Sequence, residues 1–344
     1  VRIEPLDRTS AAEGEWDAFV RSQDGWTHFH LAGWRGILEQ VHRHRTLYRV
    51  ARDTDGRIAG VLPLVRVPAL VRGHYLVSMP YLNHGGPLGT ADAVRALAND
   101  AVSLAMTSKP KLLELRSRAP LPLALPVSHR KVSVLLPLPE REDQLLKGFD
   151  PKLRSQVRRA AKEGATVRFG ADQVGPFFEV FAHHMRDLGT PTQPLALFRR
   201  VVEAFPDTAW VGVVWLGDVP IAGGAGLRWG TEFEMTWASS LRAHSRIAPN
   251  MLLYWAFMQR AIAEGVRTFN FGRCTPGAGT HRFKRQWGGT DEVLWWYGYS
   301  PGAEAPGATP SPEHGPLAWA PRVWRHLPTP LATAVGPRII RHLP

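Results

Sequence analysis

Two hairpins in this chain of 344 residues carry the same tripeptide. Ile58-Ala59-Gly60 lies in the run RIAGVLPLVRV, after LYRVAR and the turn Asp53-Thr54-Asp55-Gly56; Ile221-Ala222-Gly223 lies in the run Val219 to Trp229, after Ala209 to Leu216 and the turn Gly217-Asp218. Both pairs of runs are rich in β-formers and joined by turn residues, which predicts hairpins. A tripeptide alone carries little weight. Its return at the same place in the same order of elements predicts a duplicated α/β unit, and the length allows two domains that each bury a core.

The rest of the chain extends the parallel. The first half reads as a strand (Arg2 to Leu6), helices (Glu13 to Ser22 and Leu31 to Val41), the hairpin, the strand YLVSMP, a break at Gly85-Gly86-Pro87, a helix (Asp92 to Met106), and strands near Leu112 to Leu115 and Val132 to Leu136. The second half reads as a basic helix (Pro151 to Glu163), a strand (Thr166 to Phe169), helices (Gly175 to Leu188 and Leu195 to Phe205), the hairpin, a strand (Thr231 to Trp237), a helix (Asn250 to Glu264), a strand (Thr268 to Phe271), a glycine-rich turn, a short helix holding Lys284, and a last strand (Val293 to Tyr299). Helix pairs, then an antiparallel meander, then a helix crossing to further strands match the acyl-CoA N-acyltransferase (GNAT) plan better than a doubly wound parallel sheet. The expectation is an α/β (α+β) chain of two tandem GNAT-like domains with mixed, largely antiparallel sheets, at residues 1–138 and 139–300, followed by a Pro/Arg/Trp-rich tail at 301–344. Within that tail PGAEAPGATPSPEHGP reads as a linker. Beyond it Trp319, Trp324, Leu331, Ile339 and Ile340 alternate with Arg322, Arg325, Arg338 and Arg341, which suits either a membrane-surface anchor or a tail packed back on the first domain. Prolines 328, 330 and 337 exclude one long helix there.

The formal charge of +12 is spread along the chain and favours polyanionic partners: RNA, nucleotide pyrophosphates or anionic membrane surfaces. Cys274 is the single cysteine, so an intrachain disulfide framework and a cysteine zinc cluster are excluded. A reducing cytoplasm fits, and no run approaches the ~20 apolar residues that span a bilayer. A cytoplasmic protein is expected, with the inner face of the plasma membrane as its outer limit.

Chemistry concentrates in four places. In FNFGRCTPGAGTHRFKRQWGG, Phe269 to Gly289, the one lysine beyond Lys162 follows a glycine-rich turn. In a chain that otherwise uses arginine for nearly all its positive charge, Lys284 offers a compact point charge, or else a solvated helix lysine. The stretch Ser239 to Asn250, where an acetyl-CoA enzyme needs a glycine-rich phosphate cradle, contains no glycine; Arg246 and Asn250 are its candidate ligand contacts, and Pro249 suits a helix start. On the basic helix, capped by Asp150, Arg154, Arg158 and Lys162 recur every four residues, a repulsive ladder unless an anion or solvent lies against it. In FAHHMRDLGTP, His183 and His184 point about 100° apart on a helix, which argues against metal and leaves one histidine, His183, as a substrate contact. Trp237, closing its strand, and Arg273, beside Cys274, complete the candidate set, and Gly85-Gly86 permits either close approach to a ligand or a tight turn.

Taken together, PKLRSQVRRAAKEG, HHMRDLGTP, WASSLRAHSRIAPNMLLYW, FNFGR, GTHRFKRQWGG, YLNHGGP and the closing WRHLP…VGPRIIRHLP resemble the FemAB/FemX group, and within it the FemAB-like proteins associated with exosortase (PEP-CTERM) systems. The resemblance implies two acetyltransferase-like domains and transfer of an amino acid from aminoacyl-tRNA to an amine of a peptidoglycan precursor. It implies a transfer site at Phe283 and Lys284, with Lys284 stabilising the oxyanion of the tetrahedral intermediate or holding the tRNA terminal phosphate. Two departures stand out: the tRNA-binding coiled-coil insert of some members is absent, and Asn270 replaces the usual aspartate of the FDFG segment. The expected function is an aminoacyl- or acyltransferase acting on a lipid-linked or nucleotide-linked envelope precursor, with no metal and no tightly bound cofactor. The alternatives are an N-acyltransferase that draws on acyl-CoA or acyl carrier protein, and a non-catalytic basic scaffold for RNA or membrane.

Overall fold

The structure is a computed structural model that describes residues 1–301 and 319–344. The stretch expected as a linker, 301–316, lies outside the described residues apart from Pro301. In chain order the elements are β1 (Arg2–Pro5), α1 (Ser10–Ser22), α2 (Gly33–His42), β2 (Arg45–Arg52), β3 (Ile58–Pro68), β4 (His74–Ser78), β5 (Leu88–Gly89), α3 (Ala91–Ser108), β6 (Leu113–Ser117) and β7 (Val127–Ser128). There follow β8 (Val132–Pro137), α4 (Glu142–Gly148), α5 (Pro151–Lys162), β9 (Ala165–Phe169), α6 (Val174–Leu188), α7 (Leu195–Ala204), β10 (Ala209–Leu216), β11 (Val219–Trp229), β12 (Glu232–Ser240), α8 (Pro249–Ala263), β13 (Thr268–Cys274), α9 (Gly279–Arg285) and β14 (Thr290–Val293). The described chain ends with β15 (Trp295–Tyr299), α10 (Ala320–Trp324) and α11 (Thr329–Ile340).

Two compact units result, and both are discontinuous in sequence. The first holds Val1–Lys131 with the described residues 293–301 and Arg338–Pro344; the second holds Val132–Glu292 with 319–337. Their sheets run β1-β2-β3-β4-β6-β15-β7, with β5 beside β3, and β9-β10-β11-β12-β13-β8-β14. The orders correspond strand for strand, and in each the fourth and fifth strands form the parallel pair. The duplicated plan is therefore present as topology. The expected boundary at 138/139 is displaced, however: Val132 to Leu136 belongs to the second sheet, and the expected strand Val293 to Tyr299 is two strands, of which β15 belongs to the first. Local pattern cannot assign a strand to a sheet, because neither strand pairs with its sequence neighbour.

The repeated tripeptide occupies the equivalent strands β3 and β11 but is one residue out of register. Both strands bulge at the hairpin end. Gly60 pairs with Ala51 just inside the first bulge, while Ala222, not Gly223, holds that place opposite Val214 in the second. A one-residue offset turns a side chain to the other face of the sheet. Accordingly a Cβ at Gly60 would strike Ala93 and Leu97 of α3, whereas one at Gly223 would meet Phe177 of α6. The tripeptide marked a true duplication by coincidence of composition.

In the second unit α5 and α8 cover one face over a core that includes Trp210, Val214, Phe233, Leu253, Phe257 and Phe269. Helices α6 and α7 cover the other, where Phe177, Phe181 and Phe198 meet Val211 and Val213. In the first unit α3 packs its alanine-rich face on Leu62, Leu64, Leu76 and Leu113. The tail splits at Pro328 into α10 and α11, so it is not one long helix; Pro330 sits in the first turn of α11, and Pro337 lies inside that helix without ending it. Residues 319–337 pack on the second unit, where Arg325 donates to the carbonyl of Leu188 at 3.3 Å, and only 338–344 return to the first. No helix of the described residues is long and apolar enough to cross a membrane.

Candidate functional site

Parallel β12 and β13 pair over three residues only, Glu232–Glu234 against Thr268–Asn270. Beyond Glu234 and Asn270 each strand bulges away: β12 sets Met235 and Thr236 opposite Gly226, and β13 sets Phe271 and Gly272 opposite Val134. A bulge kinks its strand and re-aims its side chains and carbonyls. The two strands thus part at their carboxyl ends and leave a wedge, the place where open α/β sheets take ligands.

The corresponding wedge of the first unit is filled. Arg116, 1% exposed, ion-pairs with Glu114 at 2.7 Å, donates to the carbonyls of Met79 and Leu82, and lies over the ring of Trp296. The YLNHGGP loop closes on it, the amide of Gly86 donating to the carbonyl of Arg116 at 2.6 Å. Of the two readings of Gly85-Gly86, the structure shows backbone packed against backbone. The candidate site is therefore sought in the second unit.

There Lys284 lies in α9, 8% exposed, and donates to the carbonyls of Gly272 at 2.7 Å and Arg273 at 2.8 Å. Gly272 has φ +71, a conformation that glycine adopts freely, and so turns both carbonyls toward the ammonium. No carboxylate lies within ion-pair distance of Lys284 among the described residues. Burial pushes its pKa down to about 8, opposed by the neighbouring Cys274 and Glu234. At neutral pH it is an ammonium with three donors, of which two are used. Phe283 beside it is half-buried and sets its ring edge-on to Tyr254 at 5.1 Å, so its place is the wall of this site.

Asn270 organises the base of the wedge. Fully buried, it donates from Nδ2 to Glu232 at 2.8 Å and Glu234 at 3.3 Å, and accepts from the amide of Gly272 at 2.8 Å. A path of hydrogen bonds therefore runs from two glutamates through Asn270 and Gly272 to Lys284. An aspartate here would set a third carboxylate against the other two. Asn270→Asp is accordingly expected to destabilise the fold by about 2–3 kcal/mol at pH 7, since it loses both donated bonds and adds a like charge. The deficit should shrink as the pH falls and one carboxyl takes up a proton; urea midpoints at pH 7 and pH 5.5 check this.

The other expected contacts are scattered. Arg154 caps the end of α4, donating to the carbonyls of Lys147 and Phe149, and Arg158 is exposed on α5. Arg159, which the four-residue ladder did not include, donates instead to the carbonyl of Arg246 at 3.3 Å, and the Arg246 side chain is exposed. Asn250 is half-buried at the second position of α8, behind Pro249. His183 meets Arg186 of its own helix at 3.0 Å, while His184, lowered in pKa chiefly by burial and next by Arg242, faces the turn before α8. Trp237 packs edge-on against Phe198 at 5.3 Å, on the α7 side of the sheet. Arg273 lends its carbonyl to Lys284. Glu232 and Glu234 were missed, although two glutamates two apart in the strand EFEMTWASS are a polar pair on one face of an otherwise apolar run. No group of three or more His, Cys, Asp or Glu among the described residues is placed to hold a metal.

The expected phosphate cradle takes another form. Residues 242–247 are a 3-10 helix, Ala248 is left-handed at φ +54, and Pro249 takes the first position of α8. The amides of Ala248 and Met251 are already spent on the carbonyls of Ser245 and Ala248. With neither glycine nor a free first-turn amide at Pro249, this turn presents arginines more than backbone N–H groups.

Residues 150–285 match the acetyltransferase (GNAT) domain family. Among solved structures, FemX is similar over 86% of this chain and 97% of its own, at 16% identity and a TM-score of 0.64. The C-terminal domain of a putative lysylphosphatidylglycerol synthetase from Agrobacterium fabrum is similar over 84% and 92%, at 14% identity and 0.55. A tandem GNAT protein from the clavulanic acid biosynthesis pathway is similar over 88% and 99%, at 14% identity and 0.54. At these identities the likeness establishes the fold. Among curated proteins none matches this sequence significantly.

Proposed function

For this acyltransferase of the tandem GNAT fold, with its GNAT domain at residues 150–285, we propose aminoacyl transfer from an aminoacyl-tRNA ester to an amine of a lipid-linked or nucleotide-linked precursor of the cell envelope or of an exported polymer. The amine nitrogen attacks the ester carbonyl carbon. The oxyanion that forms takes the one N–H that Lys284 has left, and collapse breaks the bond to the ribose oxygen. That oxygen departs as a hydroxyl with the proton the amine gives up, and an amide is formed. An ester is already activated, so no tightly bound cofactor is required.

The observation that carries this reading is the ammonium itself: buried, pinned by two carbonyls of β13 just beyond the point where β12 and β13 part, and with one donor unspent. Preorganised donors of this kind stabilise a developing oxyanion without reorganisation. The glycine-free turn at 242–250 favours a tRNA ester over acyl-CoA, whose pyrophosphate calls for backbone N–H groups. Retention of bulk aminoacylated tRNA, deacylated tRNA, acetyl-CoA and long-chain acyl-CoA, measured at two salt concentrations, tests it. Selective, salt-sensitive binding of the aminoacylated tRNA is expected. Binding of an acyl-CoA with indifference to tRNA would transfer the assignment to CoA-dependent N-acylation.

A further inference from the structure

A second surface, in the first unit and outside the transfer site, is built for a different partner. The β3–β4 turn closes with the amide of Ala69 donating to the carbonyl of Gly73 and carries Leu70 and Val71 at its tip, 45% and 69% exposed. Single exposed apolar residues are ordinary, but two adjacent ones at a turn form a wedge that none of the described residues buries. Arg72 follows them directly, and Lys111 reaches the turn from beyond α3, its Nζ donating to the carbonyl of Val71 at 3.3 Å. Lys109 is exposed beside it, and Arg66 contacts His74 at the base of the hairpin. The C-terminal residues join this end of the unit, His342 meeting the carbonyl of Pro68 at 3.1 Å, and Arg338 is exposed four residues before it.

Acidic residues are missing from every segment that contributes. The sequence has none between Asp55 and Asp92, none between Asp100 and Glu114, and none from 319 to 344. An apolar tip inside an uncompensated ring of arginine and lysine complements one kind of surface, an apolar layer beneath anionic headgroups. Nucleic acid would meet the cations but would leave Leu70 and Val71 against charged backbone.

We propose that the β3–β4 turn, with Lys109, Lys111 and the C-terminal residues 338–344, docks the protein on an anionic lipid surface, Leu70 and Val71 entering below the headgroups. The proposal does not depend on which donor or acceptor the transfer site uses.

The test is co-sedimentation of the full chain with vesicles of phosphatidylcholine alone and of phosphatidylcholine mixed with phosphatidylglycerol, at low and high salt. Wild type is expected on the anionic vesicles at low salt, with weaker retention at high salt. The double variant Leu70→Ser/Val71→Ser should bind about tenfold or more weakly, as loss of two inserted side chains implies. Val219→Ser, which changes an exposed residue at the other hairpin, should bind as wild type. An unchanged thermal melt shows that the double variant is folded, as expected for exposed positions. Equal binding of wild type and the double variant, equal binding to both vesicle types, or no binding to either overturns the proposal; so does retention of tRNA that the double variant loses.

Discussion

Replacing Lys284 with methionine is expected to lower the transfer rate at pH 7 by about two to three orders of magnitude, the cost of removing one preorganised oxyanion donor, while raising the melting temperature. The second effect follows from the first observation. A lysine whose pKa falls from 10.5 to about 8 on folding carries a penalty of about 3 kcal/mol at every pH below 8, where both states are charged. The penalty fades as the unfolded chain loses its own proton toward pH 10.5. Methionine removes it but leaves the carbonyls of Gly272 and Arg273 without their donor, so the net gain is about 1–2 kcal/mol. A residue that costs stability in this way is retained for what it does. The pH dependence separates the roles: an electrostatic ammonium loses kcat/KM as the pH rises through about 8, whereas a base gains it. A rate that climbs through pH 8 would refute the assignment, and in Lys284→Arg any residual rate should have no such limb, because arginine stays charged.

Acid is expected to unfold the first unit well above the usual carboxylate range. Burial holds His28 at a pKa of about 3, His30 at about 4, His42 at about 4 and His44 at about 3. Arg21 adds to the burial of His28, His84 to that of His30, Arg341 to that of His42, and His42 with Arg341 to that of His44. Two of these rings lack partners for a nitrogen: His42 Nε2 and His44 Nδ1 are buried without a hydrogen bond. In the unfolded chain all four titrate near 6.5. Stability is complete above that value and is lost as the pH falls toward the folded values, because the unfolded state binds protons that the native state refuses. Four such groups give a slope of about 5 kcal/mol per pH unit near pH 5, against a total stability of about 5–15 kcal/mol. Urea midpoints at pH 7.5, 6.5 and 5.5 should fall steeply, and His42→Phe with His44→Phe should remove part of the slope. A flat profile would mean that the histidines take up protons in place.

Much of this was legible in the sequence, and the misses have physical causes. Hairpin turns and the capped basic helix at Asp150 follow from local rules, since each depends on residues close in the chain. The parting of β12 and β13 does not. It arises from bulges at Met235–Thr236 and Phe271–Gly272, where register is set by the partner strand, and the pairing of Asn270 with Glu232 and Glu234 exists only across that contact. The helix ladder misled for a related reason: four-residue spacing finds a stripe, but Arg154 turned back to α4 and Arg159, off the stripe, reached the turn before α8.

The strand that completes the first sheet is β15, at Trp295–Tyr299, between β6 and β7. A sheet opened at residue 2 therefore waits for a segment translated after residues 132–292 of the second unit. During synthesis the edge of β6 stays unpaired for the time needed to make some 180 residues, roughly 10 to 40 seconds at about 5–20 residues per second. Edges of that kind are templates for pairing with other strands. No fragment ending before residue 299 can be expected to yield a complete first unit.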